Sequence, residues 1–220
     1  MKLKGELRLK HNRCKQLFGD NFSKLKDAKI IILGVGGVGG HALDCLYKSG
    51  VENITIVDFD TYELTNQNRQ IGSESIGKIK VEHLKTIYPN IIAINKKIDL
   101  EWVESFDMSS YDLILDAIDD IKPKIQIIIK YYKKLISTTG SAKRVDPTKI
   151  EYINIFKTFN DPFAKRIREL LKKERFSKNF KVVFSSELAQ CKEMGSFIGV
   201  TGSFGLTMCS IAIQKLLSEK

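Results

Sequence analysis

Short apolar runs alternate with helical patterns along the first two thirds of the chain. The runs of strand length predict five strands, at residues 29–35, 53–59, 91–98, 113–117 and 135–139. Apolar positions at helical spacing predict helices between them, at residues 38–48, 77–87 and 121–133. This alternation is typical of an α/β fold, so we predict a mostly parallel sheet with helices on both faces.

The pattern changes after Gly140. Residues 144–156 and 179–187 are predicted to be extended, and we expect them to add antiparallel strands to the sheet in the C-terminal third. Between them a helix is predicted, because Asp161 is a natural N-cap and Pro162 suits the first helical position. Its apolar stripe consists of Phe163, Ile167, Leu170 and Leu171.

Basic residues cover the rest of this helix: Lys165, Arg166, Arg168, Lys172, Lys173 and Arg175. A solvated surface and a contact with a phosphate backbone both explain such a face. The whole chain carries 36 Lys and Arg against 26 Asp and Glu, a net charge of +10 that favours an anionic partner. The two interpretations of the helix stay open at this point.

Composition indicates a cytoplasmic protein with one main domain. With 220 residues and 43% hydrophobic content, the chain is long enough for one substantial core. Its cysteines, Cys14, Cys45, Cys191 and Cys209, contain no Cys-x-x-Cys pair, so we expect neither a zinc site nor a disulfide framework. The first residues are too charged for a signal peptide. Residues 194–214 carry no charge, but their Gly, Ser and Thr content favours a buried or interface helix over a membrane span.

A glycine-rich turn follows the first predicted strand and opens the first predicted helix. Gly34, Gly36 and Gly39 fit Gly-x-Gly-x-x-Gly, which points backbone N–H groups and the positive helix end at a phosphate. Asp58 ends the second strand, where a carboxylate can accept hydrogen bonds from ribose hydroxyls. A Rossmann-like sheet is therefore predicted, and both a nicotinamide dinucleotide and ATP fit the site so far.

The next stretch favours ATP. Asn66, Arg69 and Lys80 supply an amide and two cations, which suit a triphosphate and have no counterpart in a nicotinamide site. Asp119 follows the fourth strand, where one carboxylate can hold a magnesium ion that bridges phosphate oxygens. Helix N-capping by Asp119 or Asp120 is the competing role. We assign the metal to Asp119.

Together these motifs resemble a known superfamily. "GVGGVGG", "VDFDTYELTNQNRQ", "IGKIK" and "LDAIDD" are similar to the nucleotide-site motifs of ubiquitin-activating-enzyme-like proteins, which adenylate carboxylates. Within that superfamily, "ISTTGSAKRVDPTKIEYINIFKTFNDPFAKRIRELLKK" and "VVFSSE" resemble the bacterial tRNA threonylcarbamoyladenosine dehydratases. The resemblance runs from about residue 8 to the C-terminus.

The resemblance implies an ATP-dependent, ligase-like enzyme that dehydrates and cyclises threonylcarbamoyladenosine beside the tRNA anticodon, through an acyl adenylate. It implies one adenylating domain over residues 1–220, with an N-terminal helical arm (1–28), a nucleotide-binding core (29–140) and a substrate and dimer portion (141–220). The implied cofactors are ATP, Mg²⁺ and a monovalent cation at the loop after the fifth strand, which is less glycine-rich here than in the family. The implied partners are tRNA, a second copy of the chain and a sulfur-relay protein, with no membrane.

Site residues carry over from the family by position. The glycine loop is Gly34, Gly36, Gly37 and Gly39, and Asp58 binds the ribose. The phosphate-binding and metal-binding residues are Asn66, Arg69, Lys80 and Asp119. Arg13 matches an arginine that reaches across the dimer to the phosphates, although Arg8 lies nearby. The alternative function is adenylation of the C-terminus of a ubiquitin-like sulfur carrier, and the missing Cys-x-x-Cys pairs count against it.

Overall fold

The computed structural model of the chain describes residues 10–218. Residues 1–9 of the predicted N-terminal arm, Arg8 among them, and residues 219–220 lie outside the described residues. The described residues form one sheet in the order β3-β2-β1-β4-β5-β7-β6. Its strands are β1 (Lys29–Leu33), β2 (Asn53–Asp58), β3 (Ile92–Asn95), β4 (Leu113–Asp116), β5 (Leu135–Thr138), β6 (Ile150–Asn154) and β7 (Lys181–Ser185).

The predicted fold class is confirmed, with one correction at the edge of the sheet. Strands β1 to β5 pair in parallel, and β6 pairs antiparallel with β7. Strand β7, however, runs parallel to β5, with Ser137 opposite Val182. The prediction of two antiparallel additions was therefore wrong for β7. The connection from β5 to β7 contains β6 and a helix, and it returns the chain to the end of the sheet where β5 starts, as parallel pairing of β5 with β7 requires.

Eight α-helices are described: α1 (Asn12–Phe18), α2 (Phe22–Asp27), α3 (Gly37–Ser49), α4 (Lys80–Ile87), α5 (Leu100–Ser105), α6 (Ile121–Tyr131), α7 (Pro162–Lys173) and α8 (Ile198–Ser218). The helix predicted from residue 77 begins at Lys80, because Gly77 has a left-handed backbone with φ +80°. Helix α5 is short and was not predicted. Asp99 starts it by accepting a hydrogen bond from Trp102 N at 2.9 Å.

Two apolar cores cover the two faces of the sheet. On one face Ile30 and Ile32 of β1 join residues of α3, α4 and α8, such as Leu43, Leu84 and Phe204. On the other face Ile31 and Leu33 join residues of α5, α6 and α7. Because successive strand residues point to opposite faces, a strand segment buried on both sides must be apolar throughout, as β1 is after its exposed first residue, Lys29.

Helix α8 packs against α3. By length and composition it is the one described helix that could cross a membrane, yet 56% of its most apolar window is buried within the fold. A Cβ on Gly205 would lie 2.4 Å from the carbonyl oxygen of Val38, so glycine is required where the two helices cross. This agrees with the expected buried helix.

The two helices are also joined through sulfur. Cys45 of α3 and Cys209 of α8 form a disulfide. The expectation that the cysteines form no disulfide was wrong for this pair, because the partners are 164 residues apart in sequence and only the helix crossing brings them together. Cys14 and Cys191 are free thiols.

Candidate nucleotide-binding site

A cavity of about 480 Å³ opens at the carboxyl ends of β1, β2 and β4. It is lined by the glycine turn after β1, by the end of β2 and by residues 117–120 after β4. Ser141 beyond β5 and Thr201 of α8 also line it. In the strand order β1 and β4 are neighbours, and the chain continues from β1 to β2 on one side and from β4 to β5 on the other, so the connections after β1 and β4 leave in opposite directions. Open α/β sheets bind ligands in the crevice at such a switch point.

The glycine turn has the shape that a phosphate loop needs. Gly34 has φ +81°, a conformation that L side chains rarely adopt. A Cβ on Gly39 would lie 1.9 Å from Gly34 O, so the helix can approach the turn only with glycine there. Gly34, Gly36 and Gly37 line the cavity, whereas Gly39 does not. The structure therefore gives Gly39 a packing role behind the loop.

Asp58 ties the end of β2 to the glycine turn. Its Oδ2 accepts a hydrogen bond from Val35 N at 2.8 Å, and its Oδ1 accepts one from Asp60 N at 2.9 Å. The side chain lines the cavity but is largely buried, with 8% of the residue exposed. Both carboxylate oxygens keep lone pairs for a ligand hydroxyl. Sequence reasoning missed the structural part of this role.

Lys80 is buried at the start of α4 and paired with a carboxylate on the cavity wall. Its Nζ lies 3.0 Å from Asp60 Oδ2, and the Asp60 side chain is 49% exposed whereas that of Lys80 is 6% exposed. The backbone N of Lys80 also donates to Asp60 O at 2.9 Å. Sequence reasoning did not identify Asp60 as the partner of Lys80. The second aspartate of "DFD", just after the strand that ends at Asp58, was the available signal.

The structure separates Arg69 from Asn66. Arg69 lines the cavity, and its Nη1 donates to Thr65 O at 2.8 Å and to Asn68 Oδ1 at 2.9 Å. Asn66 is buried and does not line the cavity. Its Oδ1 accepts a hydrogen bond from Glu63 N at 3.1 Å, so this amide closes the turn that carries Arg69.

The two candidate aspartates after β4 have different roles. Asp120 caps α6, because its Oδ1 accepts a hydrogen bond from Lys122 N at 3.1 Å. Asp119 is exposed on the cavity wall, and its carboxylate accepts no hydrogen bond from the residues that the structure describes. The capping role therefore falls to Asp120. Asp119 keeps both oxygens available to a ligand.

A sealed ion pair lies beneath this turn. Lys124 Nζ is 2.7 Å from Asp116 Oδ2, and both side chains are 0% exposed. Ser137 Oγ donates to the same oxygen at 2.6 Å, and Asp116 Oδ1 accepts from Ile118 N at 3.2 Å. Burial lowers the pKa of the Lys124 ammonium, and the Asp116 carboxylate opposes that shift. The pair fixes the start of the turn that presents Asp119.

Arg13 lies far from the cavity within its own chain. Its neighbours His11 Nδ1 and Cys14 Sγ contact the carbonyl oxygen of Lys48, at the C-terminal end of α3. The glycine turn is at the other end of that 13-residue helix, about 20 Å away at 1.5 Å per residue. The exposed Arg13 cannot complete the site of its own chain in this position.

The cavity wall is not positive overall. Among its described lining residues, three are cations and four are carboxylates. The cations are Arg69, Lys80 and Lys97, and the carboxylates are Asp58, Asp60, Asp119 and Asp120. Sequence reasoning missed Lys97, whose Nζ lies 5.8 Å from the Phe59 ring at the cavity edge. Its position just after β3, another carboxyl end, was the available signal.

Comparison with known proteins shows which family the chain belongs to. Residues 10–220 match the ThiF family. The chain belongs to this family. This ThiF-family protein is 37% identical to the tRNA threonylcarbamoyladenosine dehydratase of Bacillus subtilis over 179 residues, which cover 76% of this chain and 70% of the relative. It is 31% identical to the Haemophilus influenzae enzyme of the same name over an alignment 236 positions long, which covers 91% of this chain and 90% of the relative.

A solved structure extends the similarity to the fold of this ThiF-family protein. The Escherichia coli tRNA N6-threonylcarbamoyladenosine dehydratase, crystallised with ATP, superposes with a TM-score of 0.89 at 30% identity. The match covers 96% of this chain and 95% of that one. The resemblance predicted from the motifs is therefore confirmed.

Proposed function

We propose that this chain catalyses the ATP-dependent dehydration of threonylcarbamoyladenosine beside the tRNA anticodon. The observation that carries the proposal is the cavity beside the glycine loop, at the switch point of the sheet. The chain that forms it matches, over nearly its whole length, a dehydratase crystallised with ATP. The chain acts as one adenylating domain, and tRNA as a substrate suggests a cytoplasmic enzyme.

The reaction consists of two displacements. The carboxylate of the modified base attacks the α-phosphorus of ATP, and pyrophosphate leaves. The carbamoyl group of the same base then attacks the activated carbonyl, and AMP leaves with one carboxylate oxygen. The attacking carbamoyl nitrogen gives up one proton, so, counted from its carboxylic acid form, the base loses one water overall while ATP becomes AMP and pyrophosphate.

The chemistry asks little of acid and base groups. The second nucleophile is already tethered, and well-oriented intramolecular reactions reach effective molarities of about 10⁵ M or more. The protein then has to hold the triphosphate and stabilise the charge that builds on it. Arg69, Lys80 and the N-terminus of α3 lie on the cavity wall and suit that task. A catalytic cysteine is not needed, and Cys191 has no role in this proposal.

The charge on the wall indicates that ATP needs further cations. Three cations against four carboxylates cannot neutralise a triphosphate. Asp119 fits Mg²⁺, because magnesium in nucleotide sites is held by one or two carboxylates together with substrate phosphates and water. When bound, Mg²⁺ would offset phosphate charge, and Asp119 would hold it.

Arg13 of a second copy would supply another cation. Its distance from the glycine loop of its own chain supports a homodimer in which each arm completes the opposite site. Mixing Arg13→Ala and Arg69→Ala proteins tests this, since random pairing of the two gives about one quarter of intact sites. No recovery of activity on mixing would contradict the exchange.

A monovalent cation is not part of this proposal. The loop after β5 offers carbonyl oxygens, but Arg144 Nη1 already donates to Gly140 O and to Ala142 O, the latter at 3.4 Å. Arg144 is 5% exposed and its Nη2 lies 3.5 Å from Asp161 Oδ2. A guanidinium therefore holds the carbonyl groups that a cation would need.

The decisive experiment is mass spectrometry of nucleosides from tRNA incubated with the protein and ATP. We expect a product lighter than threonylcarbamoyladenosine by one water, formed with AMP, and none with the Arg69→Ala variant. Pyrophosphate exchange that depends on a small protein ending in Gly-Gly, and not on tRNA, would instead establish the sulfur-carrier function and a sulfur-relay partner.

A further inference from the structure

Gln70 lies on the cavity wall beside the glycine loop and has no role in the proposal so far. A Cβ built on Gly36 would lie 3.7 Å from Gln70 Nε2, and both residues line the cavity. The backbone around Gln70 is fixed on both sides. Its N donates to Asn66 O at 2.9 Å, and its O accepts from Ser73 Oγ at 2.6 Å.

The two ends of the Gln70 amide have different surroundings. Oε1 is buried and has no hydrogen-bond partner among the described residues. Nε2 also makes no hydrogen bond to them, but it is not buried. The fold thus leaves an acceptor unsatisfied in the interior while the donor end stays accessible beside the phosphate loop. Unsatisfied buried polar atoms are uncommon because they destabilise the folded state, and they call for an explanation.

We propose that Gln70 is an ATP-binding residue whose Nε2 donates a hydrogen bond to a phosphate oxygen at the glycine loop. Phosphate oxygens are acceptors, so they suit Nε2 and would repel Oε1 if the amide turned by 180°. A bound phosphate therefore selects the orientation found here. Arg69, the preceding residue, brings a positive charge to the same wall, so the pair provides a cation and a neutral donor. This inference rests on the proposed use of ATP.

The test compares nucleotide affinity with stability in two matched variants. Gln70→Leu removes the donor and the unsatisfied acceptor with little change in size. Gln67→Leu makes the same change at an exposed position of the same turn. ATP, AMP and adenosine are titrated calorimetrically into each protein, and thermal unfolding is measured without nucleotide.

For Gln70→Leu we expect ATP affinity to fall about 10-fold. Adenosine affinity should stay at the wild-type value, and the melting temperature should equal or exceed that of wild type, because an unpaired buried oxygen is gone. Gln67→Leu should behave as wild type in every titration. Gln70→Glu should bind ATP more weakly than Gln70→Leu, because a carboxylate would face the phosphates.

Unchanged ATP affinity in Gln70→Leu would overturn the inference, as would equal losses for ATP and adenosine. A lowered melting temperature with wild-type ATP affinity would make Gln70 a structural residue and overturn it too. The proposed function is judged separately, by tRNA dehydration with the wild-type protein. A wild-type protein that binds ATP but leaves tRNA unchanged would contradict that function while the Gln70 result stands.

Discussion

Two aspartate–lysine pairs stand close to the cavity, and their surroundings give them different roles. Asp116 and Lys124 are sealed, 2.7 Å apart with both side chains 0% exposed. Asp60 and Lys80 are 3.0 Å apart, and the Asp60 side chain is half exposed to the cavity. In the sealed pair nothing can replace either partner. In the open pair, a phosphate can compete with Asp60 for the ammonium, so we expect the same chemistry to serve structure in one place and ligand binding in the other.

The largest effect is expected from breaking the sealed pair. Lys124→Ala leaves the Asp116 carboxylate buried without its counter-charge, which should lower the free energy of unfolding by about 3–5 kcal/mol. The melting temperature should fall by roughly 10 °C. Urea unfolding of Lys124→Ala measures the loss, with the exposed Lys122→Ala of the same helix as control. A loss as small as that of the control would mean that water reaches the pair.

The open pair should respond in activity rather than in stability. Lys80→Ala and Arg69→Ala should each lower ATP-dependent turnover about 100-fold or more, because each removes a cation that we propose stabilises the developing phosphate charge. Asp60 is half exposed, so water can hydrate its carboxylate when Lys80 is removed. The free energy of unfolding should therefore change by less than about 1 kcal/mol. Steady-state AMP release and urea unfolding of both variants check the two parts. Near-normal turnover in either variant would contradict the assignment to the triphosphate.

The sequence predicts correctly those site residues whose place depends only on their position at the end of a strand. Gly34, Asp58 and Asp119 all lie at carboxyl ends of predicted strands, and the cavity is found where those ends meet. Residues 61–79 form no long element, so sequence spacing could not separate Arg69, which lines the cavity, from Asn66, which closes the turn. The Cys45–Cys209 contact likewise depends on a helix crossing that local pattern does not encode.

The same contrast of sealed and open groups applies to two carboxylates. Asp58 is held by Val35 N and Asp60 N, whereas Asp119 accepts no hydrogen bond from the described residues. Asp119→Asn should therefore weaken the magnesium dependence of ATP binding by about 10-fold and leave adenosine affinity and stability unchanged. Asp58→Ala should lower adenosine affinity and stability together. Titrations of ATP with and without Mg²⁺, and of adenosine, distinguish the variants, and equal behaviour would remove the separate roles.

The smallest effect concerns cations that are open altogether, on the basic face of α7. Asp161 and Pro162 start this helix as predicted, and Ala164, Ile167 and Leu171 are buried. Arg168 is half-buried because its Nη1 donates to Thr158 Oγ1, so it is not free to follow a phosphate backbone as its spacing predicts. Lys165 and Lys172 are exposed, and neither pairs with a carboxylate in the part of the chain that the structure describes.

These two lysines therefore give the cleanest test of a tRNA contact. If each meets one phosphate, Lys165→Glu with Lys172→Glu should raise the Michaelis constant for tRNA several-fold, flatten the salt dependence of binding by about 1 to 2 in log–log slope, and leave ATP affinity unchanged. Lys85→Glu with Lys133→Glu, also exposed, makes the same change in net charge elsewhere. An equal response from both double variants would mean that tRNA senses net charge alone, and no response from either would make the face of α7 a solvated surface. A response confined to α7 would give the lysines of this protein three roles. Lys124 stabilises the fold, Lys80 binds a ligand phosphate, and Lys165 and Lys172 contact the tRNA backbone.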